Sequence, residues 1–126
     1  MPVAGDVSSP FAPRGNEFHD GVDFATPLGA PVVAAAAGTV VAAGQPYLAS
    51  GDTAFGVIID HGNGFQTLYW HLAPALAVRT GQRVEAGTTL GVIGLTGRVT
   101  GPHLHFGMFF EGRAIDPLRV LAQTAP

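Results

Sequence analysis

Glycine and proline set the first limit on this chain. Eighteen glycines and ten prolines stand among 126 residues, which interrupts any helical bundle and suits many short strands joined by turns. Four apolar runs lie between the breaks, at residues 31–41, 56–60, 65–72 and 103–110. Gly62-Asn63-Gly64 separates the second run from the third and reads as a hairpin turn. Only residues 116–123 read as helix, with Asp116 as N-cap and Pro117 at the first helical position. The prediction is a mostly β fold with one short C-terminal helix. Residues 11–123 read as one domain, with flexible ends at 1–10 and 124–126.

The chain also echoes itself. Gly29-Ala30-Pro31-Val32 followed by Gly38-Thr39-Val40 matches Gly81-Gln82-Arg83-Val84 followed by Gly87 and a β run that ends at Gly94. Lipoyl and biotinyl carrier domains use a similar pattern, which points to a flattened antiparallel sandwich. Those carriers need a modifiable lysine, and all six basic residues here are arginine, so a carrier role is excluded. Residues 45–55, with Pro, Ser, Asp and Gly between strands, read as a long surface loop, either a tolerated insertion or a substrate contact.

Composition narrows the function. Apolar residues make up 47% and charged residues 12%, as in a chain that builds a core. Nine acidic residues against six basic ones give a net charge of −3, without the basic stripe that nucleic-acid binding requires. The apolar stretches are all broken well short of the ~20 residues of a membrane span. Residues 1–6 show no basic region or long apolar core, which predicts either a cytoplasmic chain or one without its targeting segment. With no cysteine, thiolate sites and Cys nucleophiles are excluded, and any metal must be held by His with Asp or Glu.

Five histidines carry the remaining argument. In His103-Leu104-His105-Phe106 the two imidazoles project from one face of a strand and Leu104 and Phe106 from the other. A metal or a reaction centre fits that arrangement, and so does a solvated face with two idle rings. His19 and Asp23 flank Gly21 in a turn entering a strand, where they could meet at one ion. Asp20 is the competing ligand, but as the neighbour of His19 it is expected to point away. Thr67, Tyr69 and His71 are expected on one face of the third run, with Leu68, Trp70 and Leu72 as core on the other. His61, at a turn, is expected to be structural and to bond the turn backbone, and it is the main rival ligand.

In this order the motifs resemble the lysostaphin/LytM-type zinc endopeptidases that cut peptidoglycan peptides. The likeness runs from about Phe11 to Leu121. It includes His19-x-Gly21-x-Asp23, Gly29-x-Pro31-Val32, Asp60-His61-Gly62-x-Gly64, Tyr69-x-His71-Leu72, Gly94-x-Thr96-Gly97, Gly101-Pro102-His103-Leu104-His105 and Asp116-Pro117. Each piece is short, and the ordered set is specific.

The resemblance implies a small antiparallel, sandwich-like β domain with a groove walled by loops. It implies His19, Asp23 and His105 as ligands of one zinc ion per chain, with His71 and His103 as the catalytic pair. Two His and one carboxylate leave a tetrahedral position open, as catalytic zinc sites do. Without a His-Glu-x-x-His helix to supply the usual base, one of the two remaining histidines takes the proton and steadies the oxyanion. Tyr69 either adds a hydroxyl to the groove or packs in the core. Arg14 and Asn16 line the cleft or satisfy a loop, and Arg98 is a candidate substrate contact.

The implied activity is hydrolysis of peptide cross-links in bacterial peptidoglycan, in the cell envelope or outside the cell. Two rivals stand beside it. One is a catalytically silent relative that binds and activates another wall hydrolase. The other is a structural zinc domain, with His61 or His71 as fourth ligand.

Overall fold

Asn63 and Gly64 both have positive φ, 54° and 87°, as the two central residues of a tight hairpin turn must. They join the two central strands of the molecule. The structure is a computed structural model and describes residues 2, 3, 5–14, 17–19, 21–97 and 101–117. In chain order the strands are β1 (Asp6–Ser9), β2 (Ala12–Arg14), β3 (Glu17–His19), β4 (Val22–Ala25), β5 (Pro31–Val33) and β6 (Gly38–Gly44). They continue with β7 (Phe55–Gly62), β8 (Phe65–Leu72), β9 (Arg83–Val84), β10 (Thr89–Val92), β11 (His103–Phe110) and β12 (Arg113–Ile115).

Pairing is antiparallel throughout. The main sheet runs β1-β4-β11-β8-β7-β6-β9, with β12 also on β11; β10 pairs β5, and β2 pairs β3. The third and fourth apolar runs coincide with β8 and β11, and the second with most of β7. The first divides at residues 34–37, where Ala34 donates to the carbonyl of Thr88 (2.9 Å) and accepts from Gly87 (2.8 Å). The sequence echo becomes a pairing: β5 of the first copy lies on β10 of the second, and β6 of the first on β9 of the second. Each copy satisfies the edge of the other.

The main core gathers Val22 and Phe24 of β4, Val40 of β6, Ile59 of β7, Tyr69 and Leu72 of β8, Leu90 of β10 and Leu104 and Phe106 of β11. Side chains of this size stabilise by about 1.5–3 kcal/mol each when fully buried, so this layer holds the frame on which the histidines sit. A second cluster, Ala54, Leu68 and Trp70, packs on the opposite face.

The expectation for β8 needs correcting in two respects. Both faces are packed, because β8 lies mid-sheet and is covered on each side; Tyr69 is therefore core and not groove wall. The alternation also resets at His71. Phe55 pairs with Leu72 and Gly56 with Trp70, which leaves His71 as an extra residue in a bulge. Leu72 is thereby turned to the same side as Tyr69.

The expected C-terminal helix and frayed end lie, from residue 118 onward, outside the described residues. Among the described residues no helix is long and apolar enough to cross a membrane.

Candidate active site

Register brings the chemistry together. On β11, His103 sits opposite Ala25 and His105 opposite Asp23, while on its other side His105 sits opposite Trp70, the neighbour of His71. Leu104 and Phe106 alternate into the core as expected, which leaves His103 and His105 on the other face. The His71 and His103 ring centroids are 4.9 Å apart, and those of His71 and His105 are 6.3 Å apart. His105 Nδ1 lies 2.9 Å from Asp23 Oδ1. Three strands distant in sequence thus place three imidazoles and one carboxylate in a single patch.

Each member of the His71–His103 pair is tethered through Nδ1 to a backbone carbonyl. His71 Nδ1 is 2.7 Å from the Thr96 oxygen, and His103 Nδ1 is 3.1 Å from the Gly101 oxygen. A carbonyl only accepts, so Nδ1 carries the proton in both rings, and the neutral imidazole keeps its lone pair on Nε2. Burial lowers the pKa of His71, the other two imidazoles add to that, and the Thr96 bond and the Asp23 charge oppose it. His71 is thereby held as a neutral proton acceptor.

His71 also stands in the left-handed region, with φ at 73°. A β-branched or bulky residue adopts this only under constraint, and such strain clusters at functional sites. The constraint here is the segment 94–97. The Thr96 hydroxyl donates to the Leu72 carbonyl (2.7 Å) and accepts from the Phe55 N–H (2.9 Å). Gly94 N–H donates to the carbonyl of His71 itself (3.0 Å). At Gly97 a Cβ would lie 2.7 Å from Ala54 Cβ and 3.1 Å from His71 Nδ1, so only glycine lets this segment lie against the ring. Thr96 belongs to the Gly94-x-Thr96-Gly97 motif, but no sequence argument gave it a role.

Gly21 serves His105 in the same way. A Cβ there would stand 2.9 Å from His105 Cε1 and Nε2. The ring therefore turns Nε2 toward the Gly21 backbone and Nδ1 toward Asp23.

The His19 backbone ends β3, and its side chain lies outside the described residues, as do Asn16, Asp20 and Arg98 and the side chain of Arg14. Among the described residues no group of three His, Asp or Glu side chains converges as a metal site; the third expected ligand, His19, is not among those side chains.

His61 stays away from the patch. Its Nδ1 faces the Ala37 carbonyl at 2.7 Å and its Nε2 faces Thr67 Oγ1 at 2.6 Å, so its partners lie across the sheet and not in the turn backbone.

The sequence profile of Peptidase family M23 matches residues 17–117. The chain belongs to this family.

The M23 peptidoglycan DD-endopeptidase ShyA of Vibrio cholerae is 42% identical over 112 residues, which cover 86% of this chain and 25% of ShyA. The chain thus spans about a quarter of the length of this relative. Two solved structures share the fold. A zinc-containing peptidase from Vibrio cholerae superposes with a TM-score of 0.81 at 35% identity, covering 92% of this chain and 37% of that one. Lysostaphin from Staphylococcus simulans superposes at 0.82 with 31% identity, covering 94% and 50%.

A pocket of about 390 Å³ opens beside His71, between Gly97 and residues 50–53 of the long loop. This M23 domain thus uses the loop as a wall. Gln45 Nε2 donates to the Thr53 carbonyl (3.1 Å) and closes its base. The ring of Tyr47 lies 5.3 Å from that of Trp70 and holds it to β8.

Proposed function

We propose that the chain is a zinc-dependent endopeptidase that hydrolyses peptide cross-links of bacterial peptidoglycan in the cell envelope, with residues 11–123 as the peptidase unit. His71 and His103 would form the catalytic pair, and His19, Asp23 and His105 would hold one zinc ion. One observation carries the reading: two carbonyl-tethered imidazoles, 4.9 Å apart, beside an imidazole–carboxylate pair at 2.9 Å.

The donor set fits the metal. His105 Nδ1 and Asp23 Oδ1 already face one another, and the Gly21 backbone occupies the other side of the ring, so these two atoms are the pair available to a shared cation. Imidazole nitrogen and carboxylate oxygen are the ligands zinc takes in the absence of cysteine. Bound there, zinc would supply Lewis acidity, polarising a peptide carbonyl and bringing the pKa of water to about 7.

The remaining work falls to the chain itself. With Nδ1–H fixed on a carbonyl, His71 or His103 can accept a proton only at Nε2, and their closeness disfavours two positive charges at once. One ring therefore takes the proton from the attacking water while the other stays neutral. The protonated ring then donates from Nε2 to the developing oxyanion or to the leaving amine. The Thr96 and Gly101 carbonyls keep both rings aimed without help from substrate.

The test combines zinc content with peptide release from purified peptidoglycan, in wild type and in His71→Ala and His103→Ala. The expected result is one zinc per chain in all three, with hydrolysis lost in both variants. Full hydrolysis in either variant overturns the assigned pair. Wild type that holds zinc and releases nothing, yet stimulates a wall amidase, would establish the silent-activator reading instead.

A further inference from the structure

The pocket beside His71 has a chemistry of its own. Its walls are Ser50, Gly51, Asp52, Thr53, Gly97 and the catalytic imidazole. Two of these residues carry hydroxyls, and among the described lining residues the one carboxylate is that of Asp52. His71 is part of the wall, so whatever fills the pocket lies beside the proposed catalytic pair.

Asp52 is held in place by two neutral donors. Its Oδ1 accepts the Ala54 N–H at 2.9 Å and its Oδ2 accepts the Trp70 Nε1–H at 3.2 Å. Both donors are neutral, and a carboxylate has about four acceptor positions, so each oxygen keeps acceptor capacity. Among the described residues no arginine pairs with it. A fixed carboxylate with spare lone pairs is preorganised for a cationic donor, and it repels a substrate carboxylate at the same place.

We propose that this pocket is a subsite for a primary ammonium group, carried by the substrate near the scissile bond, with Asp52 as its counter-charge. The three donors of an ammonium can be shared between the Asp52 oxygens and the hydroxyls of Ser50 and Thr53. Glycine at 51 and 97 leaves the space for it. The assignment rests on the endopeptidase reading and names the substrate chemistry that goes with it.

The experiment uses soluble cross-linked peptides from purified peptidoglycan, in one portion with their amines free and in another blocked with acetic anhydride. The measured quantity is the ratio of kcat/KM for the two portions. Wild type is expected to favour the free amine about tenfold, as a charge-assisted hydrogen bond commonly gives. Asp52→Asn should bring the ratio near one. Because that change also touches the Trp70 bond, Ser50→Lys is the second variant: at an exposed position it places an internal ammonium against Asp52, and it should also collapse the ratio. A wild-type ratio near one overturns the subsite alone, and so does a preference that survives Ser50→Lys. Failure to cut either portion overturns the endopeptidase reading as well.

Discussion

The Thr96 carbonyl accepts the Nδ1–H of His71 across 2.7 Å, while the Thr96 hydroxyl bonds the Leu72 carbonyl and the Phe55 N–H. One residue thereby fixes the ring, the end of β8 and the start of β7. Thr96→Val keeps the shape and the carbonyl but removes the hydroxyl. The part-buried N–H of Phe55 then loses its partner, which costs about 1 kcal/mol. Thermal melting should show that loss. Hydrolysis should fall at least tenfold through kcat, with zinc content unchanged, because the ring loses its fixed aim and no ligand is touched.

The left-handed backbone at His71 is strain that the bulge sustains. His71→Gly relieves it and His71→Ala does not, since only glycine takes positive φ without penalty. Both variants should be inactive. The glycine variant should be the more stable by about 1 kcal/mol, read from paired denaturant midpoints. Equal stability would show that the backbone there is not strained.

Metal removal separates the catalytic reading from the structural-zinc rival. The core around Tyr69, Phe24 and Phe106 is built from strands that do not need the patch to pair. Chelation should abolish peptide release and leave the cooperative near-UV signal in place. Loss of the fold on chelation would favour a structural metal instead.

Much of the β frame was legible because alternation and turn glycines are local signals. Runs 65–72 and 103–110 needed nothing beyond side-chain period, and Gly62-Asn63-Gly64 needed only its φ preference. The histidine motifs were legible as an ordered set, yet their convergence depends on β4-β11-β8 pairing, which no local window contains. The bulge at His71 was hidden for a related reason. An extra residue is defined against the partner strand, so Leu72 was assigned to the wrong face. The alanine stretch at 34–37 carries no strand or turn preference strong enough to show where the first run divides; Gly87 and Thr88 decide that from the other copy of the echo. Asp52 and Thr96 gave no sequence signal of function, because their roles lie in which backbone and indole N–H groups they meet.

Tyr69 gives the fold an alkaline limit. Its hydroxyl takes the Ala35 N–H at 3.0 Å and lies 2.8 Å from Thr67 Oγ1, which lies 2.6 Å from His61 Nε2. The phenol oxygen thus accepts from both the Ala35 N–H and the Thr67 hydroxyl. Burial is the main cause that raises the Tyr69 pKa, and the bonds to Ala35 and Thr67 only partly oppose it. The folded protein therefore holds the phenol neutral above pH 10, where the unfolded chain releases the proton. Below about pH 10 both states keep it and stability is unaffected; as pH rises beyond that, the unfolded state alone is stabilised and the fold weakens. Melting temperatures between pH 8 and 11 should fall more steeply for wild type than for Tyr69→Phe. The variant should start lower, since Thr67 and the Ala35 N–H lose a partner, and the two curves should converge as the pH rises. Parallel curves would mean that the phenol ionises as readily in the core as in water.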